Sequence, residues 1–97
     1  MREVALGFTI RLRIKHYADG ALAAPDTSYT IEIEDPATEN VVDGTAMTAE
    51  GTGIYYYDFT PTAATYEIGT YKVEYKCVTG TFTAGAREYI EVVKEIG

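Results

Sequence analysis

The chain has 97 residues, enough for one two-layer core and too few for two. Its 46% hydrophobic and 12% aromatic content argues against a disordered chain, and its net charge of −7 argues against nucleic-acid binding, which needs a basic surface to release counterions from phosphates. No apolar run reaches the roughly 18 residues of a membrane span, and a single cysteine, Cys77, leaves the fold to hold by packing without an intrachain disulfide.

In chain order, Val4, Leu6, Phe8, Ile10, Leu12 and Ile14 fall on even positions and Glu3, Thr9, Arg11, Arg13 and Lys15 on odd ones. This period of 2 predicts a long first strand with one apolar face. The small residues Ala5 and Gly7 near its start predict a kink or bulge at which the strand switches sheets. Residues 17–28 read as a connection, with turn formers at Asp19-Gly20 and Pro25-Asp26 and room for half a turn of helix.

Tyr29, Ile31 and Ile33 alternate with Thr30, Glu32 and Glu34, a second strand stopped at Asp35-Pro36 because proline has no N–H to pair. Val41-Val42 reads as a short third strand, Asp43-Gly44 as a two-residue hairpin, and residues 45–48 as a fourth strand with Met47 inward. Gly53-Ile54-Tyr55-Tyr56-Tyr57-Asp58-Phe59-Thr60-Pro61 forms a fifth strand, with Tyr55, Tyr57 and Phe59 on one face and Tyr56 and Asp58 on the other. After a loop over residues 61–68, Tyr71, Val73, Tyr75 and Cys77 alternate with Thr70, Lys72, Glu74 and Lys76. A last strand, which Phe82 and Ala84 begin or precede, faces Ile90 and Val92 inward. About seven strands, with turn signals spaced about ten residues apart and no helical periodicity, predict an all-β, antiparallel β-sandwich in a single domain.

The inventory for catalysis is thin. His16 is the sole histidine, Ser28 the sole serine and Cys77 the sole thiol. A strand-end histidine, a loop serine and a buried thiol make no nucleophile–base pair, so the chain is expected not to be an enzyme. One His and one Cys do not fill a zinc site. Glu34, Asp35, Glu39 and Asp43 crowd one pair of turns and Asp19, Asp26 and Asp58 lie near others, but no calcium-loop spacing joins them, and they read as solvated turn acids. No glycine-rich phosphate loop opens a helix, and no cofactor is expected.

Charge is unevenly spread. Residues 1–16 hold Arg2, Arg11, Arg13 and Lys15 against Glu3 for a net +3, and the remainder holds four bases against fourteen acids for −10. The first strand's outward bases are expected to pair across the sheet with outward acids of a neighbouring strand. The competing reading sets Arg11, Arg13 and the outward Tyr56 together as a protein-binding face, since arginine and tyrosine are enriched where interfaces concentrate their energy.

The run from Thr52 to Pro61, followed by Gly69-Thr70-Tyr71-Lys72-Val73, resembles bacterial and phage immunoglobulin-like domains, in which a strand ending in a threonine-proline corner precedes a Gly-x-Tyr-x-Val strand. Tyr29-Thr30-Ile31-Glu32-Ile33-Glu34-Asp35-Pro36 is similar to the strand and Asp-Pro turn of the same modules. The resemblance covers nearly the whole chain and implies an immunoglobulin-like sandwich, with Tyr71 as a corner tyrosine whose hydroxyl caps a neighbouring loop. The chain departs from antibody domains in lacking the core tryptophan and the paired cysteines. Two roles follow from it. The first is a structural protein of a phage or virus particle, a capsid decoration or head-neck accessory that contacts capsid or neck subunits or further copies of itself. The alternative is an adhesin or carbohydrate-binding module of a larger surface protein. With Met1 at its head and no signal-type apolar stretch in residues 1–8, the chain is expected in the host cytoplasm and then the virion; the alternative places it at the cell surface.

Overall fold

The computed structural model describes residues 2–18, 20–23, 29–62, 66–79 and 82–94, with backbone alone for Ala18, Thr79, Phe82, Thr83 and Ala84. Its strands are β1 (Arg2–Ala5), β2 (Ile10–Lys15), β3 (Tyr17–Ala18), β4 (Ala21–Leu22), β5 (Thr30–Glu34), β6 (Asn40–Ala46), β7 (Thr48–Gly51), β8 (Ile54–Phe59), β9 (Gly69–Thr79) and β10 (Phe82–Val93). A five-stranded sheet runs β1-β10-β9-β5-β6, a three-stranded sheet runs β2-β8-β7, and β3 pairs with β4 in a small ribbon. No helix occurs among the described residues. The fold is all-β, with the two sheets facing each other across one core.

The alternating residues of each strand build that core. Ile31, Ile33, Tyr71, Val73, Ile90 and Val92 from the larger sheet meet Leu12, Tyr55 and Phe59 from the smaller, all buried. Ile10, Ile14 and Tyr57 are half-buried against them. Cys77 and Met47 are buried at their inward positions.

The first apolar run does change sheets. β1 lies in the larger sheet and β2 in the smaller, and the crossing over residues 6–9 is held where the Gly7 N–H donates to the Pro61 carbonyl at 2.7 Å. The crossing also breaks the run's parity, so Phe8 is 60% exposed instead of continuing the inward face. β1 pairs with β10 in parallel, where an antiparallel sandwich was expected; the two strands come from opposite ends of the chain, and no hairpin joins them to force an antiparallel pair.

Two other expectations change. Asp43-Gly44 does not turn a hairpin: β6 runs through it as one strand beside β5. Ile33 lies opposite Val42 and Ile31 opposite Thr45, so β6 carries one extra residue there, and Gly44 takes φ 63°. This is a bulge, a use of a left-handed glycine that the dipeptide shares with a hairpin turn. The connection after residue 16 contains the β3–β4 ribbon, with Tyr17 opposite Leu22. The Pro25-Asp26 turn and the half-turn of helix expected beside it lie outside the described residues.

Asp35 ends β5 as its sequence suggests. Its Oδ1 accepts the N–H groups of Ala37 at 3.0 Å and Glu39 at 2.9 Å, closing the turn that Pro36 forces. Tyr71 is completely buried, and its hydroxyl donates to the Glu67 carbonyl four residues upstream at 2.6 Å. The Tyr71 hydroxyl thus caps the backbone of the loop before β9, the contact that the resemblance implies for this residue.

Candidate functional site

Leu12 buries its whole side chain in the core, so Arg11 and Arg13 on either side of it project from the outer face of the three-stranded sheet. In the β2–β8 register Arg11 lies opposite Asp58 and Arg13 opposite Tyr56, and across β8 Thr48 lies opposite Tyr56. Strand pairing thus gathers Arg11, Arg13 and Tyr56 on one surface.

Contacts within that surface are specific. The Arg11 guanidinium forks onto Asp58, Nε to Oδ1 at 2.8 Å and Nη2 to Oδ2 at 3.0 Å. The same group lies over the Tyr56 ring, its carbon 4.0 Å from the ring centroid. Arg13 Nη2 donates to Glu50 Oε1 at 2.9 Å, and Arg11 Nη1 is 3.6 Å from the same oxygen. Glu50 reaches them because β7 is irregular there: Ala49 lies opposite Tyr55 and Gly51 opposite Ile54, so Glu50 is the extra residue of a bulge that redirects its side chain.

The electrostatics follow from this pairing. The hydrogen bond from Arg11 holds the Asp58 carboxyl below its usual range, and the bond to Asp58 raises the Arg11 guanidinium further. Both arginine side chains remain nearly half exposed, at 47% and 46%. The face is therefore a cation stacked on an aromatic ring and locked by a carboxylate, open to solvent and locally neutralised. The expected cross-strand pairing of outward bases with outward acids is what the geometry contains. Asp58 was legible as a partner from its outward parity; Glu50 was not, because a bulge carries no parity signal.

The residues weighed for catalysis and metal binding are dispersed. His16 was expected to be an exposed strand-end side chain, but it is half-buried and its Nδ1 lies 2.9 Å from the Tyr29 hydroxyl, with the two rings edge to face at 5.7 Å. Its main chain explains this, since the His16 N–H donates to the Gly53 carbonyl and its carbonyl accepts from Ala23, pinning it between β8 and the ribbon. Ser28, Asp19 and Asp26 lie outside the described residues. Glu34 sits 3.4 Å from Lys72, Asp35 serves its own turn, and Asp58 serves Arg11. Among the described residues no three His, Cys, Asp or Glu side chains gather as a metal site, and no helix is long and apolar enough to cross a membrane.

No family model, curated protein or solved structure matches the chain.

Proposed function

We propose that the chain is a non-enzymatic contact protein of a phage or virus particle, a capsid decoration or head-neck accessory, which docks through the outer face of its three-stranded sheet. The observation that carries the docking face is the Arg11 guanidinium held 4.0 Å over Tyr56 by its fork to Asp58. Ordering an arginine and a tyrosine on binding costs side-chain entropy. Here the two side chains already hold each other in the free protein, with the charge of Arg11 balanced by Asp58. A partner meets a preordered patch of tyrosine and charge-balanced arginine, the residue types that concentrate interface energy. The particle assignment rests on the resemblance of the strand and corner motifs to phage and bacterial immunoglobulin-like domains, which the Tyr71 corner supports. The partner is protein, with no cofactor, nucleic acid or membrane.

Cosedimentation with undecorated particles tests this, comparing wild type with Tyr56→Ala and with Arg11→Glu plus Arg13→Glu, each checked for folding by circular dichroism. Wild type is expected to pellet with particles and both variants to remain in the supernatant. Undiminished binding by both variants would remove the face from consideration. Failure of the folded wild type to bind any particle would overturn the particle role in favour of the surface adhesin or carbohydrate-binding module.

A further inference from the structure

The described aspartates sit in unlike backbone settings. Asp35 precedes Pro36, and its Oδ1 accepts the N–H groups of Ala37 at 3.0 Å and Glu39 at 2.9 Å. Asp58 lies opposite Arg11 in the β2–β8 ladder, the Arg11 guanidinium holds both its carboxylate oxygens, and the buried Phe59 follows it. Asp43 is exposed and is followed by Gly44, also exposed, inside the bulge of β6.

These settings decide one reaction of an aspartyl chain, the attack of the next residue's main-chain nitrogen on the side-chain carboxyl carbon. It needs an N–H, a small following residue and a backbone free to turn that nitrogen toward the side chain. At Asp35 the following nitrogen belongs to proline and carries no hydrogen, so it closes no imide. At Asp58 the fork fixes the carboxylate, and the buried ring of Phe59 anchors the next residue. Asp43 meets all the conditions. The ladder pairs Val42 with Ile33 and Thr45 with Ile31, so Asp43 and Gly44 lie between paired positions, on the strand that ends the five-stranded sheet. Gly44 has φ 63°, and nothing stands within 4 Å of where its Cβ would be. No side chain of its own shields the attacking nitrogen, and glycine's backbone turns more freely than any other residue's.

We propose that Asp43 is a site of spontaneous isoaspartate formation in the folded protein. The Gly44 nitrogen bonds to the side-chain carboxyl carbon of Asp43, and the displaced carboxyl oxygen leaves as water, taking one hydrogen from the carboxyl and one from the Gly44 N–H. Water then opens the cyclic imide at the main-chain carbonyl, which routes the chain through the former side chain and leaves the former main-chain carbonyl as a carboxylate. One water is released and one consumed, no oxidant or cofactor enters, and the net charge is unchanged. The main chain of β6 gains one methylene. That addition falls between Val42 and Thr45, where the strand already carries an extra residue beside open space, so the ladder on either side keeps its register and Val42 stays in the core. The reaction is independent of the docking face, which lies on the other sheet.

Cleavage at glutamate makes it readable, because it isolates residues 35–39, 40–50 and 51–67, which hold Asp35, Asp43 and Asp58 as their only aspartates. The full chain is kept folded at neutral pH and body temperature for several weeks, beside a sample in guanidinium, and isoaspartate in each fragment is counted by enzymatic methyl transfer. In the folded chain it is expected to grow in fragment 40–50 at a rate close to that in guanidinium and to stay at background in the other two, while the aged protein keeps its β-type circular dichroism. Gly44→Ala, checked for folding in the same way, crowds the attacking nitrogen and is expected to lose most of the signal. Accumulation at Asp43 in guanidinium but not in the folded chain, accumulation at Asp35 or Asp58 in its place, or an undiminished signal in Gly44→Ala would overturn the proposal.

Discussion

The hydroxyl of Tyr71 donates to the main-chain carbonyl of Glu67 at 2.6 Å, from a ring with no exposed surface. That one side chain joins the core to the loop before β9: its ring packs 6.0 Å from Phe59 and 6.4 Å from Tyr66, and its oxygen fixes the loop backbone. Tyr71→Phe keeps the ring and loses the bond, so it is expected to cost about 1 kcal/mol. Tyr71→Ala also opens a cavity and is expected to cost about 3–5 kcal/mol. Tyr57, which sequence parity alone puts on a par with Tyr71, is only half-buried, and Tyr57→Ala is expected to cost distinctly less. Urea denaturation of the three variants reads the ranking; equal losses at 57 and 71 would show that the corner adds nothing.

Alkaline pH acts on the buried phenols. Burial raises the Tyr29, Tyr71 and Tyr75 hydroxyls, and at Tyr75 the bond to Glu88 adds to the effect, because a phenolate there would face a carboxylate. Each group binds its proton more tightly folded than unfolded. Their contribution is thus whole below the ordinary tyrosine value of about 10 and is lost as pH climbs above it. Stability should fall with pH in that range, and the slope should be shallower in Tyr75→Phe. Denaturant titrations at several alkaline pH values check this, and an unchanged slope in the variant counts against the Tyr75–Glu88 account.

Acid works through the opposite sign. The hydrogen bond from Arg11 lowers Asp58, and the one from Lys72 lowers Glu74. A depressed carboxylate stabilises the fold above its unfolded value, and the benefit disappears as pH falls through the folded value. Asp58→Asn is therefore expected to flatten the acid limb of the stability curve, and high salt to flatten it in wild type, since Asp58 is exposed and Glu74 only half-buried. A limb of the same steepness in Asp58→Asn would assign the acid sensitivity to other carboxylates.

Cys77 is buried on the inward face of β9. A thiol reagent needs the thiolate within reach, so labelling is expected to track unfolding across a urea series. Rapid labelling without denaturant would show that the end of β9 opens locally.

Much of the fold was legible where a strand keeps one parity from end to end. The faces of β5 and β9, the inward pair Ile90 and Val92, the Asp35 turn and the sheet switch near Gly7 all follow from the alternation of side chains or the chemistry of a turn residue. Legibility stops where parity breaks or where the partner strand matters. Phe8 follows the even-numbered run in sequence, yet the crossing turns it outward. Asp43-Gly44 supplies the same left-handed glycine to a hairpin and to a bulge, and only the register with β5 separates them. No alternation reveals that β1 lies parallel to β10. The same division holds for the candidate site: parity puts Arg11, Arg13, Tyr56 and Asp58 on one face, while the stack and the fork depend on cross-strand register, and Glu50 enters through a bulge.

Two left-handed glycines separate backbone strain from steric exclusion. Gly44, in the β6 bulge, has φ 63° and open space where a Cβ would stand. Gly44→Ala therefore bears only the conformational cost of a left-handed L-residue, about 1–2 kcal/mol, and Gly44→Asn less. Gly53 has φ 72°, and a Cβ there would sit 2.7 Å from the Ala23 carbonyl oxygen and 2.9 Å from that of His16. Both obstacles are main chain, and both belong to the junction where the Gly53 carbonyl accepts from His16 at 2.7 Å and the His16 carbonyl accepts from Ala23 at 3.0 Å. Gly53→Ala must push the main chain of His16, just past β2, and of Ala23, just past the ribbon, off the start of β8, so its cost is expected to exceed that of Gly44→Ala by well over the strain alone. It is also expected to speed amide exchange at His16 and Ala23, which Gly44→Ala leaves unchanged. Denaturation curves and hydrogen exchange on the pair decide it: equal costs, with exchange at His16 and Ala23 unaltered, would mean that the junction yields without loss and that Gly53 is present for its backbone angle alone.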